Sequence, residues 1–175
     1  MKITIVGPSS SGKSTLAKRI SQRFTIPRLE LDRLWFEAGG HDCFVNGCTE
    51  EEKNKISLQI KDQVEDFLTQ HKDWVIDGTY TKIQPMIADQ ADNVVLIQRQ
   101  LVKRIISHIV RVVKNEGRHP ETTRWQDLCF TKTLVKRWLK NEQRDLQKFL
   151  SNYTDKVIVL KSFKDIDHYF NFINK

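Results

Sequence analysis

The sequence lacks any long apolar run. None of its hydrophobic stretches approaches the roughly 18 residues that a membrane-spanning helix requires. The N-terminus from Met1 to Gly7 has the pattern of a short strand, and it lacks the longer apolar stretch and the cleavage site of a secretory signal. We therefore expect a cytoplasmic protein that does not enter a membrane.

Cysteine is scarce as well. The three cysteines, Cys43, Cys48 and Cys129, are an odd number without the spacing of a disulfide framework, so we expect reduced thiols. Cys43 and Cys48 lie beside His41 and Asp42, which leaves a metal site as an alternative. Structural zinc sites use two paired motifs with tighter spacing, and only one loose half is present. Free thiols in a loop are the favoured interpretation.

Linkers and repeats are also missing. The four prolines and seven glycines form no Pro/Gly-rich linker, and we find no internal repeat or low-complexity tract. A chain of 175 residues is long enough for one hydrophobic core. We predict a single domain, residues 1–175, with two irregular polar stretches at Phe36 to Gly47 and Asn115 to Arg124.

Acidic residues are in deficit. The chain has 29 Lys and Arg against 22 Asp and Glu, which leaves a net charge of +7. This charge points to an anionic partner. ATP, a phosphorylated substrate and nucleic acid all meet that description, so charge alone does not choose among them.

What the sequence does contain is an alternation of short β-branched runs with helical patterns, which is typical of an α/β fold with a parallel sheet. The predicted strands are Lys2 to Val6, Arg28 to Leu31, Trp74 to Asp77, Asn93 to Gln98 and Lys156 to Leu160. The predicted helices run from about Lys13 to Phe24, onward from Thr49, from Gln100 to Lys114, from Lys132 to Leu150 and onward from Ser162. Thr49 and Glu52 have the spacing of a capping box.

One motif in this pattern indicates phosphate binding. Residues Gly7 to Ser14 fit G-x-x-x-x-G-K-[ST], and they lie between a predicted strand and a predicted helix. Its glycines allow the tight turn that exposes successive N–H groups to phosphate oxygens. We expect Lys13 to reach the β- and γ-phosphates of ATP and the Ser14 hydroxyl to ligate Mg²⁺. The predicted nucleotide-binding residues are Gly7, Ser9, Ser10, Ser11, Gly12, Lys13, Ser14 and Thr15.

Two acidic residues end predicted strands. Asp77 closes the third strand, and Asp32 follows the second in what we expect to be the equivalent place. Ligands of open α/β sheets bind at the carboxyl edge, where both acids should stand. We expect Asp77 to hold Mg²⁺ through water. Asp32 is either a second group near the metal or the base that orients the acceptor hydroxyl, and a turn or helix-capping role is the alternative for both.

Basic residues on the third long helix predict a lid. Arg104, His108 and Arg111 share one helical face, and the stretch beyond them contains Arg118. A helix that delivers arginines to the γ-phosphate, followed by a segment that closes over it, excludes water from phosphoryl transfer. A merely solvated basic face is the alternative. The predicted catalytic residues are Lys13, Asp32, Asp77, Arg104, Arg111 and Arg118.

These segments together resemble a known family. The run Leu31-Asp32-Arg33-Leu34-Trp35-Phe36 and the run Trp74-Val75-Ile76-Asp77-Gly78-Thr79-Tyr80, beside the phosphate loop, are similar to the adenylate-kinase-like P-loop proteins of the DNA topology modulation (FlaR-related) group. The resemblance implies a nucleoside-monophosphate-kinase-like three-layer fold with a five-stranded parallel sheet of order 2-3-1-4-5. It also implies an acceptor-binding insert at about 33–70 and a short lid at about 115–125.

The chain departs from true adenylate kinases on the acceptor side. Their third strand continues as D-G-x-P-R, whereas Thr79 and Tyr80 follow Gly78 here, and the T-G-D-x-x-R pattern is missing. AMP is therefore not the expected acceptor. Shikimate- and gluconate-kinase-like relatives place an aspartate after strand two, which Asp32 matches.

Two functional hypotheses follow. The leading one is an ATP- and Mg²⁺-dependent kinase that moves the γ-phosphoryl group to a nucleotide or another small metabolite. The second is a nucleotide-dependent regulator or DNA-binding protein without kinase turnover. The net charge permits nucleic-acid binding, but the sequence contains no helix-turn-helix motif.

Overall fold

The structure, a computed structural model, describes residues 1–40, 43, 47–114 and 143–173. Within these ranges a five-stranded parallel sheet has the order β2-β3-β1-β4-β5, as the resemblance implies. Its strands are β1 Lys2–Val6, β2 Arg28–Glu30, β3 Trp74–Asp77, β4 Asn93–Ile97 and β5 Val157–Leu160. Three predicted strands are one residue too long: Leu31 already belongs to the following helix, Lys156 belongs to a turn, and Gln98 lies just beyond the end of the fourth strand.

Helices flank the sheet. They are α1 Lys13–Phe24, α2 Leu31–Trp35, α3 Glu50–Gln70, α4 Gln84–Gln90, α5 Leu101–Lys114, α6 Gln143–Leu150 and α7 Phe163–Phe172. The predicted bounds of α1 are confirmed, and so is the capping box of Thr49 and Glu52 at the start of α3. The predicted helix from Lys132 is described only from Gln143 onward, and its first half lies outside the described residues.

Two layers of side chains cover the sheet. On one face, Ile3, Ile5 and Val95 pack with the apolar sides of α1 and α7. On the other face, Ile76 packs with α3 and α4, and Val94 packs with α4 and α6. The strands are apolar on both faces because both are covered, and the three-layer fold is confirmed.

The insert after β2 contains more helix than the sequence predicts. A short π-helical turn, Phe36–Gly40, follows α2 directly, so the first part of the expected irregular stretch is helical. The ring of Trp35 lies where a Cβ on Gly40 would stand, so this turn closes tightly over the tryptophan. The helix α4 was also missed, because its seven residues are too few to show a periodic pattern.

Cys43 and Cys48 form a disulfide. The expectation of reduced thiols at these two positions is therefore wrong. Their Cα atoms lie 4.6 Å apart, within the range that a disulfide spans, and spacing alone did not reveal this approach. None of the helices in the described ranges is both long enough and apolar enough to cross a bilayer.

Candidate active site

The phosphate loop connects β1 to α1 at the carboxyl edge of the sheet. Three of its residues have positive φ: Gly7 at 141°, Ser10 at 60° and Gly12 at 107°. Glycine adopts these values without strain, whereas Ser10 holds the left-handed conformation against its side chain. The loop therefore has the tight turns that the motif predicts, and Gly12 leads directly into the N-terminus of α1.

Thr79, which the sequence analysis did not identify as a site residue, connects this loop to the end of the neighbouring strand β3 by hydrogen bonds. The N–H of Gly7 donates to Thr79 Oγ1 at 3.0 Å, and Thr79 Oγ1 donates to the carbonyl oxygen of Gly7 at 2.9 Å. The N–H of Gly78 donates to the carbonyl oxygen of Ile5 at 3.2 Å. The only available signal was the position of Thr79 just beyond the strand-end Asp77.

Replacing Thr79 with valine is expected to lower the free energy of unfolding by about 2 kcal/mol, because it leaves two buried polar groups of Gly7 without partners. Valine keeps the shape of the side chain and removes only the hydroxyl. The matched control is Thr81→Val, since Thr81 is exposed. Urea unfolding of both variants checks the difference, and equal midpoints would show that the Thr79 hydroxyl does not hold the loop.

The side chains of the loop differ in exposure. Lys13 is 7% exposed, and its Nζ donates to the carbonyl oxygen of Pro8 at 3.1 Å. Ser11 is fully buried, and within the described chain its Oγ has no hydrogen-bond partner. Ser14 is half-buried and Thr15 is exposed. The loop therefore holds one buried cation and one buried hydroxyl without a hydrogen-bond partner in the described chain.

Arg104 joins the phosphate loop from α5. It is 4% exposed, and its Nε donates to the carbonyl oxygen of Ser9 at 2.8 Å. His108, one turn further along α5, is equally buried. The structure thus places Arg104 of the predicted lid face against the phosphate loop, and it buries His108. The side chain of Arg111 and the whole of Arg118 lie outside the described part of the chain.

Asp77 ends β3 and is 1% exposed. The guanidinium of Arg28 donates two hydrogen bonds to its carboxylate, from Nε to Oδ1 at 2.7 Å and from Nη2 to Oδ2 at 3.1 Å. The same Nη2 lies 3.1 Å from Glu30 Oε2. Burial lowers the pKa of Arg28, but the hydrogen bond to Asp77 and the charges of both acids outweigh this effect and raise it. Asp77 is therefore held in one orientation by a cation that sequence reasoning missed.

Asp32 does not occupy the place that the sequence predicts for it. Glu30 ends β2 and pairs with Asp77 in the sheet register, whereas Asp32 is an exposed residue in the first turn of α2. The expectation that Asp32 stands level with Asp77 is therefore wrong. The strand pattern ran one residue too far, because Leu31 is buried like a strand residue although it begins a helix.

A cavity of about 320 Å³ opens where β4 leads into α5. Its cationic lining residues are Arg99, Lys103, Arg104 and Lys161, and none of the described residues that line it is acidic. The guanidinium of Arg99 lies over the ring of Phe163, 3.9 Å from its centroid, and burial lowers the pKa of Arg99. Because Arg104 also contacts Ser9, this cationic cavity adjoins the phosphate loop, and it suits an anionic ligand.

The chain is similar to known proteins in sequence and in fold. Residues 3–127 match the protein family described as AAA domain. A stretch of 30 residues is 70% identical to the cytidylate kinase of Aquifex aeolicus (strain VF5), and it covers 17% of this chain and 14% of that enzyme.

Two solved structures are similar over nearly the whole chain. The shikimate kinase from Bacteroides thetaiotaomicron has a TM-score of 0.55 at 14% identity, and the similarity covers 100% of this chain and 99% of that one. TT1252 from Thermus thermophilus has a TM-score of 0.57 at 14% identity, over 99% of this chain and 95% of that one. At this identity the likeness concerns the fold, and together with the strand order it shows a P-loop kinase-like architecture.

Proposed function

The chain belongs to the AAA domain family, and on this premise we propose that it is an ATP- and Mg²⁺-dependent phosphotransferase. In this proposal the γ-phosphoryl group of ATP moves to a nucleotide or another small metabolite. The observation that carries the proposal is the phosphate loop itself. The loop contains a turn with positive φ at Ser10, the buried Lys13 and the Ser11 hydroxyl, which has no partner in the described chain. It adjoins a cavity lined by cationic side chains. These features together favour the binding of a phosphate chain.

The donor side is assigned to the loop and the start of α1. The N–H groups of the loop and the positive end of the helix bind phosphate oxygens. Lys13 exchanges the carbonyl oxygen of Pro8 for the β- and γ-phosphates, and the hydroxyl of Ser11 gains the partner that it lacks. The backbone N–H groups of the loop are fixed before the ligand arrives, so little backbone reorganisation opposes the transfer.

Ser14 and Asp77 are the proposed magnesium residues. A hydroxyl and a carboxylate are hard oxygen donors of the kind that Mg²⁺ prefers, so the residues fit the ion. When bound, Mg²⁺ neutralises charge on the transferred phosphate. Arg28 occupies one lone pair on each oxygen of Asp77, which leaves the others for metal-bound water. Arg28 thereby acts as a positioning residue for Asp77.

The remaining roles concern charge and the acceptor. Arg104 stabilises the charge that spreads over the transferred group, and Arg111 and Arg118 are proposed to join it from the lid. Asp32, exposed in the first turn of α2, is proposed as the carboxylate that orients an acceptor hydroxyl. Because phosphoryl transfer needs little covalent chemistry from the protein, these positioning and charge effects account for catalysis.

The experiment that tests this function measures ADP release from Mg·ATP with a panel of nucleoside monophosphates and hydroxylated metabolites. The expected result is an acceptor that raises ADP release at least about tenfold, since a bound acceptor replaces water in a closed site. A panel in which no acceptor exceeds the acceptor-free rate would contradict the proposal. Binding to duplex DNA tighter than about 10⁻⁶ M at physiological salt, without ADP release, would favour the regulatory hypothesis instead.

A further inference from the structure

Arg28 contacts two acidic side chains at the carboxyl ends of neighbouring strands. Its guanidinium donates to both carboxylate oxygens of Asp77, and its Nη2 also lies 3.1 Å from Glu30 Oε2. Glu30 and Asp77 are paired in the sheet register, so one arginine binds two acids that stand side by side. A positive charge therefore lies directly against the carboxylate that we assign to magnesium.

The three side chains differ in their access to water. The side chain of Asp77 is 1% exposed, that of Arg28 is 21% exposed and that of Glu30 is 36% exposed. Water therefore screens the charge of Glu30 in part, whereas the charge of Asp77 interacts mainly with neighbouring protein groups. Because a buried carboxylate without a partner is costly, Asp77 depends on the guanidinium of Arg28 as its counter-ion.

The buried and half-buried charges around the phosphate loop and the ends of β2 and β3 give no excess of acid in the described chain. The acids are Glu30 and Asp77. The cations are Arg28, Lys13 and Arg104, and the last two donate to carbonyl oxygens of the loop. A divalent ion alone would add two positive charges to this group, whereas a nucleotide brings negative charge on its phosphates.

We propose that Arg28 prevents Asp77 from binding a divalent cation until a nucleotide supplies phosphate oxygens. This role of Arg28 rests on the proposed function, which assigns Ser14 and Asp77 to magnesium, and it adds the order in which the ligands bind. Mg²⁺ binds together with ATP or after it, and it does not bind first. Arg28 thus makes the metal site depend on the nucleotide, in addition to positioning Asp77.

Repulsion between the ion and the guanidinium is the physical reason. A divalent ion on the carboxylate of Asp77 would face the guanidinium of Arg28 across one small group, and like charges this close repel strongly in a buried site. Phosphate oxygens around the ion offset this repulsion, because they carry the opposite charge. The ion then shares the carboxylate with Arg28, through the lone pairs that the two hydrogen bonds leave.

A second arginine–carboxylate pair provides a comparison within the same chain. Arg33 Nε donates to Glu37 Oε1 at 2.7 Å, which equals the distance from Arg28 Nε to Asp77 Oδ1. The side chains of Arg33 and Glu37 are 67% and 50% exposed, however. An exposed carboxylate keeps its hydration with or without an arginine beside it, so burial distinguishes the Arg28 pair and Arg33 is a matched control.

The test measures binding of Mn²⁺ to the full chain through the relaxation rate of water protons, which rises when the ion is held on a protein. Mn²⁺ takes the same oxygen ligands as Mg²⁺. Without nucleotide, the wild-type chain should bind Mn²⁺ with a dissociation constant weaker than about 1 mM, because Arg28 repels the ion. With saturating ADP the relaxation rate should rise above that of Mn²⁺ and ADP without protein.

Substitutions of Arg28 separate its charge from its shape. Arg28→Met should strengthen the binding of Mn²⁺ without nucleotide at least about tenfold, because it leaves a buried carboxylate without its counter-ion. Arg28→Lys keeps the positive charge and should bind Mn²⁺ as weakly as the wild type. The control Arg33→Met should do the same. Adding Asp77→Asn to Arg28→Met should abolish the gain, because Asp77 is the group that the substitution exposes to the ion.

Three results would overturn this role of Arg28. The first is a wild-type chain that binds Mn²⁺ without nucleotide more tightly than about 1 mM, which requires no variant. The second is a folded Arg28→Met variant with unchanged affinity, and the third is a gain that persists with Asp77→Asn. Thermal melts verify the fold. Arg28→Gln, whose amide still donates a hydrogen bond but carries no charge, replaces Arg28→Met if the latter does not fold.

The measurements with ADP separate the role of Arg28 from the proposed function. A wild-type chain whose relaxation rate does not rise with ADP and Mn²⁺ has no nucleotide-dependent metal site, which contradicts both. A wild-type chain that binds Mn²⁺ equally well with and without ADP still has the metal site, and that result overturns only the role of Arg28.

Discussion

The Lys13→Ala variant is expected to lose phosphoryl transfer by about 10³-fold in kcat/KM, because one preorganised cation at the transferred phosphate contributes an effect of this size. Lys13 is buried, and its Nζ already lies in the phosphate loop against the carbonyl oxygen of Pro8. Its charge is therefore in place before the nucleotide binds. Alanine removes that charge and leaves the backbone N–H groups of the loop unchanged.

The measurement is steady-state turnover with Mg·ATP and the acceptor that the panel identifies. Lys18→Ala is the matched control, because Lys18 is an exposed lysine on the same helix and should retain full activity. A thermal melt separates loss of chemistry from loss of fold. A folded Lys13→Ala protein with turnover within about threefold of the wild type would exclude the loop as the catalytic site.

The Gly7→Ala variant is expected to lose about 4 kcal/mol of unfolding free energy, from backbone strain and overpacking together. The backbone of Gly7 has φ of 141°, a conformation that L-residues rarely adopt. A Cβ at this position would overlap the carbonyl oxygen of Ile97 and lie 3.2 Å from its carbonyl carbon. Both atoms belong to the backbone of a central strand, which cannot move aside.

Gly39→Ala is the comparison that separates strain from overlap. Gly39 also has positive φ, at 90°, but a Cβ there would meet no atom within 4 Å. Its expected loss is about 1 kcal/mol, from strain alone. Calorimetric melting should therefore show a decrease of about 10 °C for Gly7→Ala and about 3 °C for Gly39→Ala. Equal decreases would show that the close approach to Ile97 contributes nothing.

The sequence predicted correctly those helices and loops whose conformation depends on residues close together in the chain. The helix α1 follows from its apolar periodicity, and the start of α3 follows from Thr49 and Glu52, whose mutual hydrogen bonds depend only on neighbouring residues. The phosphate loop follows from its glycines in the same way. The bounds of α2 and α4 could not be predicted, because one or two turns of helix carry no clear period.

The hydrogen-bond partners of the predicted site residues could not be identified from the sequence. Asp77 was identified by its position at a strand end, but Arg28, which holds it, lies 49 residues away in the chain. Thr79 holds Gly7 from 72 residues away. Arg99 was missed because nothing local distinguishes an arginine that covers Phe163 from a solvated one.

For this protein, the sequence by itself determined where the phosphate loop lies, where the strands and the longer helices run, and that a nucleotide is the expected ligand. Those features depend on φ preferences and apolar spacing, which act over a few residues. Only the tertiary structure decided that Arg28 binds Asp77 with two hydrogen bonds, that Glu30 rather than Asp32 pairs with Asp77 in the sheet register, and that α5 exposes apolar side chains to solvent. These features depend on strand register and helix orientation, which are set when distant segments pack together.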